Sequence, residues 1–190
     1  MIIRALVALA FVWLVTPLAT EAQTPSCSFR GTPDALAQRP SPLDSVLVHL
    51  GGADAKLCYG RPAAGGRSMV GGEHPFGTPW EMGANEPTTL HLPFAAEIGS
   101  VILPAGSYSL YAIPGESEWT IVVNGNPDRW GVPLNAEVRA ADVGSFTVTP
   151  ARRGESLDRL TFTFRPSSEL AGELIYEWEG VRLSIPVARR

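Results

Sequence analysis

Two arginines, Arg61 and Arg67, and a polar run through Asn85, Glu86, Thr88 and Thr89 hold the chain's most chemically capable side chains. A guanidinium binds a carboxylate or phosphate through two parallel hydrogen bonds. Glu86 can be the internal partner of such a group, pinning a long loop. It can instead act as an acid or base if burial raises its pKa, with Arg61 or Arg67 clamping an anion. The chemistry would then be that of a hydrolase or isomerase. Asn85 and Thr88 can equally close a turn on local backbone. Phe76, Trp80, Trp119 and Trp130 fall near the same loops. Aromatic rings beside arginines and amides suit a sugar or another flat ligand, and the same rings serve as core plugs under loops. The expected ligand-binding set is Arg61, Arg67, Trp80, Asn85, Glu86 and Thr89, with Glu86 the catalytic candidate.

Other chemistries find less support. His49, His74 and His91 have Glu73, Glu81 and Glu86 near them in sequence, yet no pair has a spacing diagnostic of zinc or of an iron triad. No metal is expected. There is no G-x-S-x-G, H-E-x-x-H, P-loop or dinucleotide fingerprint, so no cofactor is expected either. The glycines of "GGRSMVGG" do not open a helix and give a phosphate no dipole. Net charge is −4, and no basic run is longer than the pair Arg152-Arg153, which argues against a nucleic-acid partner.

The elements that must position these groups read as strands. Gly51-Gly52 separates two short β runs, a hairpin signal. A long glycine-rich loop follows to Pro79, of a length that tends to carry function. From Thr88 onward strands recur at short intervals. In "LTFTF", Leu160, Phe162 and Phe164 point one way and Thr161 and Thr163 the other. Glu179-Gly180 suits a tight hairpin turn. The class is all-β, an antiparallel sandwich or jelly-roll-like barrel of about 8–10 strands.

Ahead of that domain, residues 1–22 carry Arg4, an apolar run and the small-residue pattern ending at Ala22, which predicts a cleaved signal peptide. The apolar run is too short to span a membrane, so no span is expected in the mature protein. The protein is therefore expected to be exported, either periplasmic or secreted. Removing these residues takes away Arg4 and Glu21 and leaves the net charge unchanged. Residues 23–40 read as a tether with at most one helical turn near Asp34–Gln38, and residues 41–190 as a single β domain. An oxidising compartment makes a Cys27–Cys58 disulfide plausible beside the alternative of two free thiols. In "DAKLCYG", Lys56 shares a face with Cys58, and the lysine marks that face as outer. A bridge would strap the N-terminal segment across the outside of the sheet.

Several motifs recur in a fixed order. They are "YGRP" at Tyr59–Pro62, "GGR" at Gly65–Arg67, "PFG" at Pro75–Gly77, "GANEPTT" at Gly83–Thr89, "LPAGSYSLYAIPG" at Leu103–Gly115 and "EWTIVVN" at Glu118–Asn124. Together they resemble the bacterial "domain of unknown function 2911" family over roughly Ser41 to Val187. The resemblance implies an exported bacterial β domain and brings no established activity. Relatives commonly show Trp-Arg-Thr-Gly-Ala-Asn-Glu, whereas here Glu81 stands in the arginine's place and reverses the charge. The leading expectation is an exported β-sandwich that binds a small polar ligand, such as a carbohydrate, or an envelope partner. The alternatives are the Glu86 enzyme and a purely structural envelope module.

Overall fold

The computed structural model describes residues 25–190. The expected signal peptide and its cleavage after Ala22 lie outside the described residues. A short helix, α1 (Pro33–Ala37), precedes ten strands: β1 (Leu43–Leu50), β2 (Ala53–Gly60), β3 (Thr88–Leu92), β4 (Ala96–Ile98), β5 (Val101–Leu103), β6 (Gly106–Ile113), β7 (Trp119–Asn124), β8 (Asp142–Val148), β9 (Ala151–Pro166) and β10 (Ala171–Arg189). A second short helix, α2 (Ala136–Arg139), lies between β7 and β8. One sheet has six strands in the order β1-β2-β3-β6-β7-β8, and the other has four, β5-β4-β10-β9. All pairings are antiparallel. The architecture is an open sandwich, not a closed barrel.

Alternation builds the core. Leu57 and Tyr59 on β2, Leu90 and Leu92 on β3, Leu110 and Ala112 on β6, and Ile121 and Val123 on β7 face inward. Leu160, Phe162, Leu174, Tyr176 and Trp178 meet them from the four-stranded sheet. Gly51 and Gly52 make the β1–β2 turn with φ of 58° and 75°, the left-handed pair that a two-residue hairpin needs.

The expected turn at Glu179-Gly180 is instead an irregularity inside one continuous strand, β10. Its φ of 50° is uncommon for a residue with a side chain. Long-range contacts hold it there, since its carboxylate accepts the backbone N–H of Met69 and Val70, the latter at 2.8 Å. The real hairpin between β9 and β10 lies at residues 167–170.

Candidate functional site

The six-stranded sheet has an unusual outer face. Cys58, Thr89, Ser109 and Asn124 are successive cross-strand neighbours on β2, β3, β6 and β7, and Lys56, His91 and Ser107 form the next row. Alternation turns both rows away from the core. The outer face of an antiparallel sheet is commonly wet, yet Cys58, Thr89, His91, Ser109 and Asn124 are all buried. Two segments cover them. One is the 125–141 connection, fixed by Asn124 Nδ2, which donates to Val138 O at 2.7 Å and to Asp142 Oδ1 at 2.8 Å. The other is the N-terminal segment, residues 25–40, which runs across the face as a strap.

Three attachments seat the strap. Cys27 and Cys58 form a disulfide with their Cα atoms 5.6 Å apart. Glu86 accepts from both terminal nitrogens of the Arg39 guanidinium, Oε2 from Nη1 at 2.6 Å and Oε1 from Nη2 at 3.0 Å, and Oε1 also accepts the Arg30 N–H at 2.6 Å. Arg30 in turn pairs with Asp128 at 2.7 Å. Burial pushes the Glu86 carboxyl up, but the hydrogen bonds from Arg39 and Arg30 outweigh it and hold the pKa below the ordinary value.

Between strap and sheet lies a cavity of about 210 Å³. Phe29 and Arg30 line it from the strap, Thr89, His91 and Ser107 from the sheet, and Arg129 from the 125–141 connection. His91 Nδ1 is 2.8 Å from Ser107 Oγ, while its buried Nε2 has no partner. Burial, followed by the nearby Lys56 charge, lowers the His91 pKa, so the ring is neutral at pH 7. Arg129 is nine-tenths buried. It donates to Trp130 O at 2.9 Å, Gly131 O at 2.8 Å and Ser109 Oγ at 3.1 Å, and its Nε has no partner.

The expected site residues do not form one cluster. Glu86 and Thr89 line this cavity, and Thr89 Oγ1 donates to Pro87 O at 3.0 Å. Asn85 shapes the loop beside it. Its φ is 72°, its side chain donates to Ser41 O at 3.2 Å, and its carbonyl accepts the Gly131 N–H at 2.7 Å. Arg61 lies elsewhere, donating to Leu160 O and Thr161 Oγ1 and facing Asp44 at 3.6 Å. Arg67 caps its own loop through Ala63 O and Ala64 O. Neither arginine meets Glu86, whose cation is Arg39. Trp80 is a core plug, 4.3 Å from the His74 ring and 5.5 Å from that of Trp178. Among the described residues no group of three or more His, Cys, Asp or Glu is placed to hold a metal, and no helix is long and apolar enough to cross a membrane.

The site also holds Arg30, Arg39, Ser107 and Arg129, which the sequence does not single out, and His91, which it offers only as a metal ligand. Alternation could have found two of them. Thr89 and His91 interleave with Leu90 and Leu92, and Ser107 and Ser109 with Tyr108 and Leu110, which aligns four polar side chains on one face. Arg30, Arg39 and Arg129 arrive from distant segments and leave no local signal.

Glu81 is buried beneath the same region. Burial pushes its carboxyl pKa up to about 7, with a smaller opposing pull from Arg129. Gly131 passes so close that a Cβ there would lie 2.7 Å from Glu81 Cγ, so this carboxylate has room only because that residue is glycine.

A family model described as a protein of unknown function (DUF2911) matches residues 41–187. No curated protein and no solved structure matches the chain.

Proposed function

We propose, for a chain that belongs to the DUF2911 family and so inherits no assigned activity, that the strap cavity is a binding site for a small polar ligand. One observation carries this. His91 and Arg129 both line the cavity, both are buried, and each keeps a ring or guanidinium nitrogen without a protein partner. Buried polar atoms are overwhelmingly hydrogen-bonded in folded proteins, so two cavity-lining residues that each keep such an atom favour a polar occupant, met by a small turn of the ring and guanidinium because the nitrogens themselves are closed to solvent as they stand. The volume of about 210 Å³ lies below the roughly 300–1,000 Å³ of drug-sized sites. The occupant is therefore small, with a few polar atoms and one apolar edge for Phe29.

Binding fits the site better than catalysis. A general base needs an available oxygen and a pKa near the working pH. Both Glu86 oxygens accept hydrogen bonds from the strap, and its pKa is lowered. The Cys27–Cys58 bridge supports an oxidising compartment, in keeping with export directed by residues 1–22.

The test is thermal unfolding of the oxidised mature protein against a panel of sugars, polyols, amides and small acids. A ligand held at about 100 times its Kd adds about 2.7 kcal/mol, and His91→Leu should abolish that gain. If no compound shifts the transition, or if His91→Leu responds as the native chain does, the cavity is not the site. A surface for an envelope partner, or a purely structural role, would then be favoured.

A further inference from the structure

Resting on that binding site, we infer that its ligand is a small carboxylate anion anchored by Arg129. Arg129 is 9% exposed, and no carboxylate lies within 4.0 Å of its guanidinium among the described residues. Two carbonyls and a hydroxyl solvate it without neutralising it. Buried charges are ordinarily paired, and a buried cation without an anion is costly.

The carboxylates nearby do not provide that anion: Glu81 and Asp142 act on Arg129 only from beyond 4.0 Å, burial holds Glu81 toward its protonated form, and Asp142 accepts from Tyr111 and Asn124. Glu86 is taken by Arg39 and by the Arg30 amide. Asp128 is taken by the Arg30 guanidinium. Lys56, the cross-strand partner of His91, has no ion-pair partner among the described residues. With Glu86 matched by Arg39 and Asp128 by Arg30, Arg129 is left as the lining charge without a direct counter-ion among the described residues, although the whole chain carries −4. A guanidinium in a low-dielectric site selects carboxylate over a neutral isostere, because its attraction is less screened than in water. Thr89, Ser107 and His91 add neutral hydrogen-bonding groups around it, which suits a carboxylate bearing one or two hydroxyls. The volume limits the ligand to a few carbons, the size of a short hydroxy acid.

The experiment titrates the oxidised mature protein at low ionic strength with lactate and glycerate, and with lactamide and glycerol as neutral counterparts. The readouts are calorimetry and the ring-nitrogen NMR signals of His91. The acids should bind and shift His91, with affinity falling as salt is added, while the neutral compounds should not bind. Arg129→Met should weaken glycerate about tenfold or more, the scale of a charge-assisted hydrogen bond. Because that variant can fail to fold, Lys56→Gln serves as a surface control, and it should weaken glycerate about twofold. If the neutral compounds bind as well as the acids, the carboxylate assignment is overturned and the cavity remains a polar-ligand site. If none of the four moves His91, the binding site itself falls.

Discussion

Glu81 and Glu86 share one loop and meet opposite fates. Glu86 has a guanidinium and an amide on its carboxylate, so folding favours its charged form. Its contribution to stability is present above its unfolded pKa, near 4.5, and is lost as pH falls through its lowered folded value. Glu81 is the reverse. Burial favours its protonated form, with a folded pKa of about 7 against 4.5 unfolded. Its contribution is complete below pH 4.5 and is lost as pH rises through 7. Glu81→Gln, which keeps the shape and removes the charge, should therefore stabilise the protein at pH 8, with the gain disappearing below pH 4.5. Glu86→Gln should cost on the order of 2 to 4 kcal/mol at pH 7, since it leaves Arg39 without its partner, and much less at pH 3. Urea unfolding across this pH range reads both. A Glu81→Gln gain that does not change with pH would show that burial does not raise the pKa of this carboxyl.

The strap is an element with almost no core of its own. No residue of α1 is buried, and Phe29 is 36% exposed. Its position rests on the disulfide and on the Glu86 and Asp128 contacts. The bridge closes a sequence separation of 31, for which loop-closure entropy gives about 3 to 4 kcal/mol. Replacing both cysteines by serine should lower stability by roughly that amount and release the strap. Trypsin should then cut after Arg30, which precedes Gly31, while the strands stay protected. Equal protection of Arg30 in both forms would mean that the ion pairs alone hold the strap. The strap also marks the limit of what is legible in the sequence. The Gly51-Gly52 hairpin and the inward stripe of "LTFTF" were legible because each is fixed by neighbours in the chain. A strap over the outer face was legible too, given the lysine beside Cys58 and a bridge. That Glu86 would pair with Arg39, and not with Arg61 or Arg67, was not legible. It depends on where two segments 47 residues apart meet. Glu179 failed for the same reason, since its left-handed turn is set by amides 109 and 110 residues away.

At the scale of the molecule, the sandwich and its cover are separable. The core cluster begins at Val48, with Val46 packed against it, and every strand of both sheets lies within residues 43–189. The family match, 41–187, spans that sandwich and stops short of the strap. Two covers lie on the outer face of the six-stranded sheet, and only one of them, residues 125–141, belongs to the sandwich sequence. Both covers wall the cavity over the sheet, so a ligand that fills it touches both. It follows that residues 41–190 with Cys58→Ser should fold cooperatively, because the core loses no apolar side chain. The slope of unfolding against denaturant should fall only slightly, since that slope tracks the surface exposed and the strap buries little. The midpoint should drop, and the response to glycerate should vanish with the wall that Phe29 and Arg30 provide. Circular dichroism and urea unfolding, with the glycerate titration repeated on the shortened chain, test these together. A shortened chain without a cooperative transition would make the strap part of the fold. One that folds and binds glycerate with undiminished affinity would move the ligand off the strap entirely, onto Arg129 and the sheet alone.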